Sequence, residues 1–216
     1  MRESYFTIYK SGVGETTEKK SRFLGLAQHV TSEEEALAAV EAVRREHYDA
    51  RHHCFAWVIG EQGDIRRAAD DGEPQGTAGM PMLEVLEGRT LRDVIVIVTR
   101  YFGGTLLGTG GLVRNYTAAA QAALEDSVII QRIPGTRAAL RADYTDVGKL
   151  QHLFGELQIP VVEAVYEDKV TFDLVLPQDV RGRFDAALAE VTAGRAQMSL
   201  REELYYSEAE DKTIIL

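Results

Sequence analysis

The sequence predicts an α+β chain in two domains. Stripes of helical period alternate with short β-rich runs through residues 1–133, the pattern of layered α+β packing. Pro134 and Gly135 then punctuate the chain at "QRIPGT", where a hinge is expected. Beyond them, residues 136–206 follow the order βαββαβ of a ferredoxin-like domain. Residues 207–216, an acidic tail, are expected to be loosely held.

In the first domain a strand is expected from near Phe23, within "KSRFLGLAQHV". A helix follows in "SEEEALAAVEAVRREH". Ser32 and Glu35 have capping-box spacing, Leu37, Val40 and Val43 supply the apolar stripe, and Arg44, Arg45 and His47 suit the last turn. "HHCFAWVIG" and "IRRAA" read as a hairpin around the turn "GEQGD". "AGMPMLEVLEG" reads as a helix with Pro81 in its first turn and Gly88 just past its end. "DVIVIVTRYF" is a nearly unbroken β-branched run, the pattern of a strand buried on both faces. A packed helix is expected to start near Gly111, with Val113, Tyr116, Ala120 and Ala123 on its inner face. In the second domain, Val147, Leu150, Phe154 and Leu157 mark one helix, and Val180, Phe184, Leu188 and Val191 the other. "TRAALRAD", "PVVEAVYE", "KVTFDLVL" and "AQMSLREELYY" are the four strands.

The chain has 216 residues, 45% hydrophobic and 27% charged, enough for a core without staples. Cys54 is the only cysteine, which excludes an intrachain disulfide. "MRESYFTIYK" lacks the apolar core of a signal peptide, and no apolar run reaches membrane-spanning length, so a cytoplasmic protein without a membrane partner is expected. A net charge of −10 argues against non-specific nucleic-acid binding, and no DNA partner is expected. A local cluster of cations is still compatible with RNA, because nearby charges set the field at a cleft.

"RYFGGTLLGTGGLVRNY" (residues 100–116) holds five glycines, Gly103, Gly104, Gly108, Gly110 and Gly111, between Arg100 and Arg114. Each glycine in an ordered element costs about 0.5–1 kcal/mol relative to alanine, so the concentration needs a reason. Between a buried strand and a helix N-terminus, bare backbone N–H groups make an anion site, and the two arginines would add charge-assisted bonds. The plainer reading is a tight turn packed against neighbouring backbone. Neither the P-loop nor the dinucleotide fingerprint fits: Gly108 is followed by Thr109 and Gly110, and Val113 stands where a third glycine would be needed.

"AADDGEPQGTAGMP" gathers Asp70, Asp71 and Glu73 among turn-forming residues. Three carboxylates so close are compatible with a metal ligand set or acid–base chemistry, and equally with a solvated turn. A third reading joins the two loops, with one of these carboxylates orienting Arg100 or Arg114 by a bidentate bond. In "ARHHCFAW", His52 and Cys54 share a strand face, but too few ligands converge to expect a metal, and Cys54 among apolar neighbours reads as an inert thiol. No cofactor is expected. The cluster "KKSRF" is either the polar approach to the first strand or a phosphate contact.

Together, "KSRF", "ARHHCFAWVIG", "DDGEPQGTAGMPML" and "VTRYFGGTLLGTGGLVRNY" resemble the YigZ/IMPACT family over nearly the whole chain. The resemblance implies a first domain like the second domain of a small-subunit ribosomal protein. It implies a ferredoxin-like second domain like the C-terminal domains of translocase-type elongation factors. Eukaryotic members restrain a stress-activated translation kinase pathway by competing for an activator. They carry an additional N-terminal domain, and that role is not carried over here. Asp70, Asp71, Glu73, Arg100, Gly103, Gly104, Gly108, Gly110, Gly111 and Arg114 match the family pattern, which includes no catalytic residue to transfer.

The expected function is a non-enzymatic binding or regulatory protein linked to translation, its glycine loop and arginines meeting RNA, the ribosome or a translation factor. The alternative is an enzyme on a small phosphorylated or carboxylated substrate, with the loop holding the anion and Asp70, Asp71 or Glu73 as base or metal ligand. That alternative requires the two loops to face one cleft.

Overall fold

The computed structural model describes residues 3–209 and 212–215. Residues 5–130 form one compact unit, and the described residues from Gln131 onward form another together with Glu3 and Ser4. No helix among the described residues is long and apolar enough to cross a membrane.

The first unit contains β1 (Tyr5–Lys10), β2 (Gly12–Glu18), β3 (Ser21–His29), α1 (Glu33–Glu46), β4 (His52–Ile59), β5 (Ile65–Ala69), α2 (Gly79–Gly88), β6 (Val94–Tyr101) and α3 (Gly108–Asp126). Its five-stranded antiparallel sheet has the order β2-β3-β6-β4-β5. The β-branched run of β6 takes the centre, with Val94, Val96 and Val98 facing α2 and α3, and Ile95 and Ile97 facing α1. Helices on both faces account for an unbroken apolar strand inside an antiparallel sheet. α3 lies close on β2 and β3: a Cβ at Gly14 would stand 2.5 Å from Ala123 N, and one at Gly25 2.5 Å from Ala119 O. Glycine in the strands and alanine on the helix permit that approach.

Several details differ from the sequence expectation. Ser32 Oγ accepts from Glu35 N at 3.2 Å, but the Glu35 carboxylate reaches Thr31, accepting from its N–H at 2.7 Å and its hydroxyl at 3.0 Å, so the box closes one residue early. Those two bonds hold the Glu35 carboxyl below its ordinary value. On α1, Ala36 and Ala39 join Val40 and Val43 in the core, while Leu37 is 43% exposed. Gly88 is the last residue of α2, and the left-handed position beyond it falls on Thr90, φ 53°. Bonds from Leu91 N to Leu86 O (3.1 Å) and Thr90 N to Glu87 O (2.9 Å) close a Schellman end around that residue. α3 starts at Gly108, three residues before Gly111, and Leu112 is buried where Val113 was expected.

The next strand, β7 (Val128–Ala142), runs through Pro134 and Gly135 without a break, so no hinge interrupts the chain there. The division between units falls earlier, after Ile130. Proline is tolerated here because the β7–β9 pairing ends at Gly135 opposite Pro177, and the Pro134 carbonyl still accepts from Gln178 N at 3.3 Å. Gly135 allows Tyr206 Cδ1 and Leu176 O to approach within 3.3 and 3.2 Å of where a Cβ would be. α4 (Val147–Glu156), β8 (Val161–Tyr166), β9 (Val170–Pro177), α5 (Arg181–Thr192) and β10 (Gln197–Ala209) complete the expected βαββαβ order. The strand order β10-β7-β9-β8, antiparallel throughout, is that of a ferredoxin-like sheet. Leu150, Phe154, Phe172, Phe184 and Leu188 meet in its core. The tail corrects its expectation: residues 207–209 end β10 and β11 (Lys212–Ile215) pairs with them, Tyr206 opposite Ile215. The β-branched run Thr213, Ile214, Ile215 suits a strand better than a solvated tail. Residues 210, 211 and 216 of that tail lie outside the described residues.

Candidate functional site

The acidic loop between β5 and α2 is built around its own carboxylates. Asp70 Oδ1 accepts from Ala78 N (3.0 Å) and Gly79 N (2.9 Å), and Oδ2 accepts from Gly76 N (2.7 Å). One side chain thus caps α2, whose own N-cap residue, Ala78, has nothing to offer. Asp71, at φ 42°, accepts from Arg44 Nη2 at 2.9 Å and from His53 N at 2.7 Å. Glu73 points inward and is 9% exposed; its Oε1 accepts from Arg100 Nη1 at 2.7 Å and from the Tyr116 hydroxyl at 2.8 Å.

That last trio joins the acidic loop to the strand and helix flanking the glycine loop. The joining carboxylate is Glu73 and its partner is Arg100, as one reading of the sequence had it, but a single oxygen carries the pair rather than a bidentate fork. Arg100 is only 6% exposed. Its guanidinium lies between the rings of Phe23 (5.4 Å) and Phe102 (5.5 Å), and Nη2 reaches Ser21 Oγ at 3.5 Å. A charge this deep persists because a carboxylate and two aromatic faces surround it. Tyr116 packs edge-on to Phe23 at 5.1 Å. Burial, with the charge of Glu73 adding to it, pushes the Tyr116 phenol far above its ordinary value. Cys54 donates its thiol to Asp70 O at 2.9 Å, and burial pushes that thiol up as well. Among the described residues no His, Cys, Asp and Glu group is arranged to hold a metal ion.

The five glycines separate by physical cause. A Cβ at Gly103 would stand 2.1 Å from Lys20 C and 2.2 Å from Ser21 N, a clash of backbone with backbone. Gly104 (φ 85°) and Gly108 (φ 71°) occupy the left-handed region in open space. Gly111 would bring a Cβ to 2.9 Å from Leu107 Cβ. Gly110 has no such reason: the nearest atom to its Cβ would be Arg114 Nη1 at 3.6 Å. The first turn of α3 has no side-chain cap, whereas Asp70 caps that of α2; neither first turn carries an acidic residue.

The close approach at Gly103 brings in residues that sequence spacing did not connect to the loop. Lys19 and Lys20 form the two-residue turn between β2 and β3, with Glu18 opposite Ser21, and both have positive φ, 45° and 67°. A hairpin turn of this kind favours Asn-Gly; left-handed lysines cost about 1–2 kcal/mol each. Ser21 Oγ accepts from Gly103 N at 3.0 Å and ties the turn to the loop. Both lysines and Arg114 are exposed, and Arg114 forms no ion pair among the described residues. Phe102 (49% exposed) and Leu106 (83%) stand out from the same loop. The cluster "KKSRF" was visible in the sequence, but its place beside Gly103 depends on the pairing of β3 with β6.

A two-unit α+β chain with a glycine loop fastened to an acidic loop by a buried Glu–Arg–Tyr contact defines a class, and comparison with known proteins places it. The Impact N-terminal domain matches residues 19–124, and a domain of unknown function, DUF1949, matches residues 140–195. The chain belongs to the IMPACT family. It is 38% identical to the IMPACT family member YvyE of Bacillus subtilis (strain 168) over 97% of this chain and 96% of that one. It is 40% identical to the IMPACT family member YigZ of Escherichia coli (strain K12), over 86% and 92% of the two chains. The Protein IMPACT homolog of Saccharomyces cerevisiae (strain ATCC 204508 / S288c) is 35% identical over 43% of this chain and 37% of its own length. A crystal structure of a hypothetical protein, 36% identical, superimposes with a TM-score of 0.60, covering 94% of this chain and 99% of that one.

Proposed function

We propose that the chain is a non-enzymatic binding protein linked to translation, and that it meets an anionic partner (RNA, the ribosome or a translation factor) through the glycine loop and its surrounding cations. The observation that carries this reading is the placement of the Lys19–Lys20 turn backbone-to-backbone against Gly103. Beside that loop lie the uncapped N-terminus of α3 and the exposed Arg114. Such a helix end offers N–H groups and a positive dipole to an anion. Gly110, where an alanine would fit, keeps that end bare. The translation link rests on family membership and on the resemblance to ribosomal and elongation-factor domains, an argument by analogy. Arg100 is reassigned within this reading: paired to Glu73 in the interior, it holds the loop's shape and leaves partner contact to Lys19, Lys20 and Arg114. The enzyme alternative is less well supported, because Asp70, Asp71 and Glu73 are all engaged in holding the loop.

Co-sedimentation with ribosomes and ribosomal subunits tests the reading. Wild type is expected to co-migrate, with binding that weakens between about 50 and 200 mM salt. Lys19→Asn/Lys20→Gly/Arg114→Ala removes three cations while suiting the turn better, and should lower the salt slope by about 2–3. Gly110→Ala should fold normally yet bind less well. Wild type left at the top of the gradient, or a triple variant that binds as wild type does, overturns it.

A further inference from the structure

On the opposite face of the first unit's sheet, α1 leaves a strip uncovered. Its buried residues pack on β4 and β6, Leu26 of β3 lies at the margin, and on β2 Val13 is 63% exposed. The step between α1 and the β2–β3 ribbon encloses a groove of ≈ 380 Å³, with Leu24, Leu26 and Ile97 on its floor and Val43 on its wall. That volume falls at the lower end of the range for small-molecule sites, about 300–1,000 Å³.

Thr99 also lines the groove, on the same face of β6 as Ile95 and Ile97. It is 1% exposed, and its hydroxyl oxygen has no hydrogen-bond partner. A buried hydroxyl left unpaired costs about 1–3 kcal/mol, and valine would fill the same space without that cost. The hydroxyl is closed off from solvent in the free protein, so a ligand's own polar group would satisfy it once the side chains over it part. The rim is negative. Glu46 and His47 close one side at the C-terminal end of α1, where the helix dipole is negative, and Glu46 forms no ion pair among the described residues. Glu15 stands across from them, bonded to Arg22 at 2.8 Å.

We propose that this groove binds a small organic cation: an apolar body of about one aromatic ring, a hydroxyl or carbonyl that pairs with Thr99, and an ammonium beside Glu46. The site is separate from the glycine loop, and its test does not depend on ribosome binding.

The experiment is a methyl NMR titration of the full chain with tyramine and, separately, with 3-(4-hydroxyphenyl)propionate, which has the same ring and hydroxyl but the opposite charge. Tyramine should give saturable shifts at Leu24, Leu26, Val43, Ile97 and Thr99, and bind at least about tenfold more tightly than the acid. Thr99→Val should raise the unfolding midpoint of the free protein and weaken tyramine about fivefold, the loss of one hydrogen bond. Glu46→Gln should narrow the gap between amine and acid. The proposal is overturned if tyramine gives no saturable shifts at these methyls, if the acid binds equally well, or if Thr99→Val binds tyramine as wild type does. Should Thr99→Val fail to fold, an unchanged amine preference in Glu46→Gln overturns it.

Discussion

Removing the Glu73 carboxylate is the sharpest perturbation the first unit offers. In wild type its Oε1 carries both Arg100 Nη1 at 2.7 Å and the Tyr116 hydroxyl at 2.8 Å, with the two charged side chains 6% and 3% exposed. Glu73→Ala leaves a guanidinium buried without its counter-charge, which costs about 3–5 kcal/mol. The rings of Phe23 and Phe102 return a part of that, worth about 0.5–2 kcal/mol if they keep their places. Tyr116→Phe deletes one bond and keeps the edge contact with Phe23, so about 1–2 kcal/mol is expected. Glu73→Leu/Arg100→Met removes both charges together and should fall within about 1–2 kcal/mol of wild type. Urea unfolding followed by fluorescence is the assay. Trp57 is the only tryptophan and is fully buried in the first unit, so the signal reports that unit rather than the ferredoxin-like one. A Glu73→Ala cost below about 1 kcal/mol would refute the account, as would a double variant as unstable as Glu73→Ala.

Three further outcomes follow from local geometry. Gly103→Ala forces a Cβ into the Lys20–Ser21 backbone, and should destabilise the first unit by more than about 1–3 kcal/mol in the same urea assay. Thr90→Gly relieves a left-handed residue (φ 53°) at the end of α2, and should raise stability by about 1 kcal/mol, read as a higher urea midpoint. Cys54 should resist a thiol reagent at pH 8 in the folded protein and react at once in denaturant. Because burial raises its folded pKa, the fold favours the neutral thiol: that stability is full below the unfolded value of about 8.5 and declines as pH rises above it, which alkaline urea titrations will show.

Much of the architecture was legible because periodicity is a local property. The alternation Val170, Phe172, Leu174, Leu176 and the spacing of Phe184 and Leu188 specify a strand and a helix wherever they fold, and the βαββαβ order leaves few ways to pair them. The run "DVIVIVTRYF" announced a strand covered on both sides. Boundaries were harder. Pro134 and Gly135 are turn formers by composition, yet they sit inside β7, because neighbouring strands decide whether a missing N–H or a missing Cβ matters. Tyr116 was read as a packing residue, and its hydroxyl bond to Glu73 has no signature in a window of sequence, since 43 positions separate them.

By itself the sequence determined the two-unit α+β organisation, the family, and the presence of an acidic and a glycine-rich segment dense enough to need explanation. Those are matters of residue type and short-range spacing. Only the tertiary structure decided what each dense residue does. It turned Arg100 inward and set Lys19 and Lys20 against Gly103. It engaged Asp70 with the loop's own N–H groups, Asp71 with Arg44 and His53 N, and Glu73 with Arg100 and Tyr116. The physical reason is that burial and pairing of a charge are set by side chains brought together from distant strands, and the β3–β6 register that places Phe23 opposite Arg100 is a property of the folded sheet.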